Sequence, residues 1–330
     1  MDALPYLDAD TLAALVPLSR AVEVLEQALR DGLDPERTPP RAGVPVPGGE
    51  LLMMPAGDGR YAGVKVVSVA PANPARGLPR IQGTYLLFDG DTLRPLAVLD
   101  GMALTSLRTP AVSAVAVSRL VAPHARRLVL FGTGPQAWGH LAAIRAIRPL
   151  EHVTVVGRNP AGVGALASHC RRLGLRAESL YGPAGTATGQ PADEHAGRVA
   201  EAVALADIVA CCTTARTPLF PGKLARDGAA VVAVGSHEPD AREVDEDLVA
   251  RATVVVESRA AALAEAGDVI IPVRNGTITT GHLAGNLADL VSGRLLPGPG
   301  PRLFKSVGMA WEDLVVAAAA HEAATARRPG

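Results

Sequence analysis

The predicted fold rests on one stretch, which reads Leu128-Val129-Leu130-Phe131-Gly132-Thr133-Gly134-Pro135-Gln136-Ala137. An apolar run of strand length is followed by two glycines that permit a tight turn, and then by residues that begin a helix. A helix-compatible segment, Ala137 to Ile147, and a second apolar run, Val153 to Val156, come next. In this order of elements, a Gly-x-Gly-x-x-Ala motif binds the pyrophosphate of a dinucleotide at the helix N-terminus. We therefore predict a dinucleotide-binding domain and place at its cofactor Gly132, Thr133, Gly134, Gln136 and Ala137.

The residues after the second apolar run indicate which nucleotide binds. An acidic side chain there would bind the ribose 2′-hydroxyl of NAD, whereas an arginine accommodates the 2′-phosphate of NADP. Here the run is followed by Gly157-Arg158-Asn159-Pro160, which contains no carboxylate. We predict NADP(H) as the preferred cofactor, with Arg158 and Asn159 beside it, and NAD(H) as the alternative. Arg158 as a solvated residue at the start of the next helix is the competing interpretation.

Composition limits the class of protein. The chain has 330 residues and a net charge of −1, so its length suits two domains and its charge favours neither nucleic acid nor an acidic membrane as partner. No apolar run has the length of a membrane span. The three cysteines, Cys170, Cys211 and Cys212, are a poor disulfide set and indicate a reducing compartment. We expect a soluble, cytoplasmic protein.

The two parts of the chain differ in their element pattern. Before any long helix there are four strand candidates, which predict a mainly antiparallel sheet: Leu51 to Met54, Gly63 to Val69, Gly83 to Phe88 and Leu93 to Leu99. Thr109 and Pro110 have the residue types of an N-cap and a first helical position, so a helix is predicted from there to about Val121. From Arg127 onward strands and helices alternate, and Tyr181 to Glu194 is predicted to be a mobile surface loop.

These patterns predict an α/β protein. A doubly wound parallel-sheet (Rossmann) domain of residues 123–305 is inserted into an α+β domain formed by residues 1–122 and 306–330.

Three basic residues of the α+β part are candidates for a substrate site. Lys65 lies in the apolar strand Gly63 to Val69 and by alternation shares a face with Val67 and Val69. A buried ammonium group needs an anion or a ligand, which favours function over a solvent-facing lysine. Arg108 precedes the predicted N-cap, where its guanidinium and unpaired helix amides would bind a carboxylate, with a structural salt bridge as the alternative. Arg41, near several prolines, is by itself more typical of a surface residue.

Candidates in the second part follow predicted parallel strands, at the edge where such sheets bind ligands. His237 comes after the strand Ala230 to Val234 and Gly235, and is a candidate proton donor. Thr213 and Thr214 end another strand and are either cofactor ligands or turn formers. No His, Cys, Asp and Glu cluster has metal-ligand spacing and no Gly-x-Ser-x-Gly motif occurs, so a metal site and a serine esterase are disfavoured.

Taken together, these residues resemble the ornithine cyclodeaminase/mu-crystallin family. The matching segments keep the family's order across nearly the whole chain. They are Arg41 with Val44-Pro45-Val46; Met54-Pro55-Ala56; Gly63-Val64-Lys65; Asp100-Gly101; Thr105 to Thr109; Gly132 to Ala137; Gly235-Ser236; Pro239-Asp240; Arg242-Glu243; Glu265 to Asp268; Phe304 to Ala310; and Glu312-Asp313-Leu314.

The resemblance implies a homodimer whose N-terminal domain forms the interface and much of the pocket for a small 2-amino or 2-imino acid. By position, Arg41, Lys65 and Arg108 would hold the substrate carboxylate, and Lys65 would also polarise the reacting centre. Gly308 is expected at the substrate, and Thr109 and Gly235 at the nicotinamide cofactor.

One departure from the family selects among its activities. Cyclodeaminases have an aspartate in the segment where this chain has Ser236-His237-Glu238, which is closer to the reductase and dehydrogenase members. We therefore predict an NAD(P)H-dependent reductase of a small 2-imino acid, with Lys65 and His237 as catalytic residues. Two alternatives stay open. They are an ornithine-type cyclodeaminase, in which Glu238 takes over the aspartate's role, and a non-catalytic, crystallin-like binding protein.

Overall fold

The computed structural model describes residues 4–181 and 192–327. The N-terminal elements are β1 (Tyr6–Leu7), α1 (Ala9–Leu15), α2 (Leu18–Arg30), β2 (Ala42–Val46), β3 (Gly49–Gly57), β4 (Tyr61–Val69), β5 (Ile81–Asp89), β6 (Pro95–Asp100) and α3 (Gly101–Leu120). The central elements are β7 (Arg127–Phe131), α4 (Pro135–Ile147), β8 (His152–Gly157), α5 (Pro160–Arg172), β9 (Arg176–Tyr181), α6 (Ala192–Leu205), β10 (Ile208–Cys211), β11 (Ala230–Ala233), α7 (Glu246–Arg251), β12 (Thr253–Val256), α8 (Arg259–Glu265), α9 (Gly267–Arg274), β13 (Leu283–Asn286), α10 (Leu287–Val291) and β14 (Arg302–Lys305). The last helix is α11 (Ala310–Ala326).

The chain divides into two compact units. The first holds the residues up to Val112 together with those from Gly308 onward, and the second is Ser113–Val307. These divisions fall near the predicted boundaries at residues 122/123 and 305/306, and the first of them lies inside α3. The substrate-binding and dimerisation role of the discontinuous domain stays a prediction.

The first unit is built on a six-stranded sheet in the order β1-β6-β5-β4-β3-β2. All neighbours pair antiparallel except β1 and β6, so the predicted mainly antiparallel sheet is confirmed. Alternation turns Gly63, Lys65 and Val67 of β4 to one buried face, and α11 packs against β3 and β4. The predicted inward orientation of Lys65 is therefore correct.

The start predicted for α3 is wrong. The helix begins at Gly101, and Asp100 holds its first turn because its Oδ1 accepts from the amides of Met102 and Ala103. Thr109 and Pro110 lie inside the helix, so Thr109 is not an N-cap and Arg108 has no row of unpaired amides beside it. Proline lacks one amide donor, but residues 109–117 of α3 are all buried, and this packing overrides the local signal.

The second unit contains an eight-stranded, wholly parallel sheet in the order β13-β12-β14-β11-β10-β7-β8-β9. Two of its central strands, β10 and β11, are apolar and buried along their whole length, as expected when helices cover both faces. The strand order reverses between β7 and β10, which places a ligand crevice at the carboxyl ends of these strands. The predicted fold class, a doubly wound sheet inserted in an α+β domain, is confirmed.

Some features were not predicted, or lie beyond what the structure describes. The strands β13 and β14 did not appear in the sequence prediction, because their sequences, Leu-Ala-Gly-Asn and Arg-Leu-Phe-Lys, are not apolar runs. The predicted loop Tyr181 to Glu194 lies mostly outside the described residues; its two ends belong to β9 and α6. In the described part of the chain, no helix combines the length and apolarity needed to cross a membrane.

Candidate active site

Lys65 lies in a buried ion pair. Its Nζ atom is 2.7 Å from Asp313 Oδ2 and donates to Thr105 Oγ1 at 3.1 Å. The Lys65 side chain is 2% exposed and that of Asp313 is fully buried. Asp313 comes from the first turn of α11, and Thr105 from α3. The first unit therefore provides an anion for the lysine that β4 turns inward.

Arg108 shares that anion and has a second one. Its Nε donates to Asp313 Oδ1 at 3.2 Å, and its NH1 donates to Glu312 Oε2 at 2.6 Å. The two oxygens of Asp313 are thus divided between the lysine and the arginine. The structural salt bridge considered for Arg108 is present, with the guanidinium 5% exposed.

Gly308 joins Arg108 to the third cation. Arg41, which is half-buried, donates from NH2 to the Gly308 carbonyl at 2.9 Å. Gly308 has φ +79°, and a Cβ atom there would lie 2.7 Å from both terminal nitrogens of Arg108. Only glycine allows this close approach without displacing the guanidinium. The structure therefore brings together the four residues predicted at the substrate, Arg41, Lys65, Arg108 and Gly308. Together with Glu312 and Asp313, these residues form what we call the cation cluster.

The electrostatics of the cluster leave Lys65 titratable near neutral pH. Burial lowers the pKa of Lys65 from its ordinary 10.5 to about 8, while the charge of Asp313 opposes that change and Arg108 adds to it. Tyr85 faces Lys65 from β5, and burial raises the pKa of its phenol. Among the five charged side chains of the cluster, positive charges outnumber negative ones by one. An added carboxylate is therefore the ligand that this charge balance favours.

The glycine turn after β7 has the geometry of a pyrophosphate site. Gly132 has φ +104°, and a Cβ atom there would lie 2.3 Å from the carbonyl oxygen of Cys212. Gly134 is the exposed N-cap of α4, and no atom lies within 4 Å of the position of its missing Cβ. The α4 N-terminus, with Gln136 and Ala137 in its first turn, is thus open to an anion. These residues fit a dinucleotide.

The residues that follow β8 lie beside this turn, since β7 and β8 pair in parallel. Arg158 is exposed and makes no ion pair with any residue that the structure describes. Asn159 caps α5, because its Oδ1 accepts from the Ala161 amide at 3.1 Å. Thr133, within the turn, is half-buried. Arg158 is therefore exposed in the segment that follows β8, next to the glycine turn.

The loops after β10 and β11 are held by one buried carboxylate that the sequence prediction missed. Glu243 Oε1 accepts from the amide and the hydroxyl of Thr213, each at 2.8 Å, and its Oε2 accepts from the Gly235 amide at 2.7 Å. Burial raises the pKa of Glu243. Two predicted cofactor residues, Thr213 and Gly235, are thereby fixed in position by a single side chain.

A second buried pair supports Glu243. The Asp268 carboxylate lies 2.9 Å from Lys305 Nζ and accepts from the amides of Glu243 and Val244. Lys305 also donates to the Ser236 carbonyl at 2.6 Å. The Glu257 carboxylate accepts hydrogen bonds from the Ser306 hydroxyl and the Val307 amide. The carboxyl ends of β10, β11 and β14 are therefore connected by buried charges.

The remaining predicted site residues are His237, Thr214 and Thr109. His237 and Thr214 are exposed after β11 and β10, and Thr109 is buried in α3 next to Arg108. Within the described part of the chain, no three His, Cys, Asp or Glu side chains are grouped as metal ligands. Glu243 and Asp313 belong to the matching family segments, and this was the only sequence signal for them.

Comparison with known proteins decides the family. The model described as "Ornithine cyclodeaminase/mu-crystallin family" matches residues 9–328. The chain belongs to this family. It is 35% identical over 332 residues to the Delta(1)-pyrroline-2-carboxylate/Delta(1)-piperideine-2-carboxylate reductase of Azospirillum brasilense, covering 100% of this chain and 99% of that protein. The family predicted from the sequence is confirmed, and the reductase is of the enzyme class predicted.

Solved structures agree with both units. The Delta(1)-pyrroline-2-carboxylate reductase of Thermococcus litoralis, in complex with NADH and L-proline, is similar with a TM-score of 0.86, 32% identity and 98% coverage of each chain. An archaeal alanine dehydrogenase dimer with bound NAD is similar with a TM-score of 0.85, 26% identity and coverage of 99% of this chain and 98% of that chain. Both relatives bind a nicotinamide cofactor, as predicted for this chain.

Proposed function

We propose that this protein is an NAD(P)H-dependent reductase of a small 2-imino acid, with a cyclic imine such as pyrroline-2-carboxylate as substrate. The observation that carries the proposal is the cation cluster. In it Arg41 donates to the Gly308 carbonyl, and Lys65 and Arg108 contact two buried carboxylates. The reductase names of the relatives, which match nearly the whole chain, support it.

In the proposed mechanism the cluster binds and orients the substrate. Arg41 and Arg108 hold the carboxylate through charge-assisted hydrogen bonds, which fixes the adjacent C=N bond. Lys65, protonated below about pH 8, contributes positive charge beside the imine. His237 is the proposed donor of the proton to the imine nitrogen. When bound, the reduced nicotinamide supplies a hydride to the imine carbon.

We further propose NADP(H) as the preferred cofactor and a homodimer as the assembly. Arg158, exposed after β8 with no acidic residue in the same segment, supports the first. The dimeric state of the similar alanine dehydrogenase supports the second, and sedimentation equilibrium tests it.

The function is tested by mixing the purified protein with NADPH and pyrroline-2-carboxylate. We expect oxidation of NADPH at 340 nm and formation of proline. A cyclodeaminase would instead release ammonia from ornithine with only catalytic amounts of NAD⁺. Glu238, proposed for that role, lies exposed in an ion pair with Arg216, which favours the reductase. No turnover of a panel of imino acids would favour a binding protein.

A further inference from the structure

Asp313 connects two of the three cations through its two oxygens. Lys65 Nζ lies 2.7 Å from Oδ2, and Arg108 Nε lies 3.2 Å from Oδ1. Glu312, the preceding residue, accepts a hydrogen bond from Arg108 NH1 at 2.6 Å. Both carboxylates are completely buried. Neither basic side chain can move without breaking a contact to the first turn of α11.

The position of these acids in α11 favours their charged form. Glu312 and Asp313 lie in the first turn of a 17-residue helix, where the helix dipole stabilises negative charge. Consecutive helical residues point in different directions. Glu312 contacts Arg108, whereas Asp313 contacts both Lys65 and Arg108. The geometry therefore gives Asp313 a role that its neighbour does not share.

We propose that Asp313 is a positioning residue for imine reduction: it fixes the Lys65 ammonium beside Arg108 and keeps it protonated to receive the substrate carboxylate. This inference rests on the proposed function, because the cluster must bind an imino acid. Asp313 itself does not contact the substrate. It acts through Lys65, whose other charged or titratable neighbours are Arg108 from α3, Glu312 from α11 and Tyr85 from β5.

Removing the charge of Asp313 has a specific consequence. The carboxylate opposes the effect of burial on the Lys65 pKa, and Arg108 adds to that effect. In the Asp313→Asn variant Lys65 therefore loses its proton at a lower pH than in the wild type. A carboxylate that merely stabilised the fold would change this titration as well, but it would leave the pH profile of kcat/KM for the imino acid unshifted.

The chain allows a direct measurement of this titration. It contains three lysines, Lys65, Lys223 and Lys305. Protein labelled with ε-¹³C-lysine gives three side-chain NMR signals, and that of Lys65 is the one missing from Lys65→Arg. We expect a wild-type midpoint near pH 8. In Asp313→Asn we expect it about one pH unit lower or more, and in Asp313→Glu near the wild-type value.

Kinetics complete the experiment. In Asp313→Asn we expect kcat/KM for pyrroline-2-carboxylate to fall about fivefold or more at pH 8 and to recover partly toward pH 6, with the KM for NADPH unchanged. Glu322→Gln is the matched control, since Glu322 is a carboxylate of α11 in an exposed pair with Arg60. It leaves both readouts at their wild-type values.

The outcomes separate the two proposals. An unchanged Lys65 midpoint in folded Asp313→Asn overturns the positioning role. A lowered midpoint with an unshifted kcat/KM profile also overturns it, because the charge state of Lys65 would then not matter for the reaction. If the wild type reduces no imino acid, the proposed function fails, while the NMR titration still reports on Asp313 and Lys65.

Discussion

Lys65 carries a charge inside a sheet face that a helix covers. An isolated buried ammonium is strongly unfavourable, and two features reduce this cost: the ion pair with Asp313 and the hydrogen bond to Thr105. The pKa near 8 is the residual effect of burial. Alternation in β4 was enough to predict the inward orientation of Lys65. Its partner Asp313, 248 residues away in sequence, was indicated only by a segment that matches the family.

The titration of Lys65 predicts a pH dependence. A lysine with its pKa lowered to about 8 is charged below that pH and neutral above it, so kcat/KM for the imino acid should fall as pH rises through about 8. In Lys65→Arg the guanidinium stays charged, and the limb near pH 8 should disappear even if activity is low. A limb at the same pH in both proteins would assign it to another group or to the substrate.

Gly308 offers a steric test of the cluster. The Gly308→Ala variant places a methyl group 2.7 Å from the Arg108 nitrogens at a φ of +79°. We expect the KM for the imino acid to rise about tenfold or more, equivalent to about 1.4 kcal/mol, with the KM for NADPH unchanged. Gly77→Ala is the control, because Gly77 has φ +72° but no neighbour within 4 Å. Equal KM values in the two variants would contradict the role of Gly308.

Arg158 offers a test of cofactor preference. Replacing it by serine removes a charge-assisted contact to the proposed 2′-phosphate, worth about 1.5–3 kcal/mol. We expect the Kd for NADPH, measured by nicotinamide fluorescence, to rise about tenfold or more, and the Kd for NADH to stay the same. Arg172→Ser, at the exposed end of α5, serves as the control. An equal rise in the Kd values for NADPH and NADH would mean that Arg158 does not contact the 2′-phosphate.

Among the elements, long and strongly patterned segments were predictable, and those whose ends depend on packing were not. The strands β4 and β7 and the helix α4 follow directly from their periodicity and glycine turn. The predicted start of α3 was wrong because Thr109 and Pro110 have the residue types typical of a helix N-terminus. The residue that caps the helix is Asp100, which is also the last residue of β6. Local propensity is a weak guide where tertiary packing decides.

The loops after β10 and β11 depend on Glu243. Glu243→Gln replaces one acceptor oxygen by an amide group, leaving the Gly235 amide or the Thr213 groups unsatisfied. We expect a loss of about 1–3 kcal/mol in the free energy of unfolding and a higher KM for NADPH. Urea unfolding measures the stability, and steady-state kinetics measure the KM for NADPH. The control variant is Glu246→Gln, because the wild-type Glu246 carboxylate pairs with Arg242 nearer the surface. A stable variant with a normal KM would remove Glu243 from cofactor binding.

At the scale of the whole molecule, each unit contains its own buried ionic network. In the first unit α11, the last helix of the chain, packs on the sheet made by the first hundred residues and completes the cation cluster. In the second unit Lys305 and Asp268 support the carboxyl ends of the strands. Both networks pair residues distant in sequence. The residue pattern indicated Lys65 and Arg108, whereas Lys305, Asp268 and Asp313 appeared only within segments that match the family.

The most direct test of the cation cluster is the reduction of pyrroline-2-carboxylate by NADPH in two lysine variants. Lys65→Ala should lower kcat/KM by about a hundredfold or more, whereas Lys223→Ala, at an exposed position, should equal the wild type. Melting curves with and without NADPH confirm that both variants are folded and bind cofactor. Wild-type kcat/KM in a folded Lys65→Ala protein would contradict the proposal that this cluster binds the imino acid.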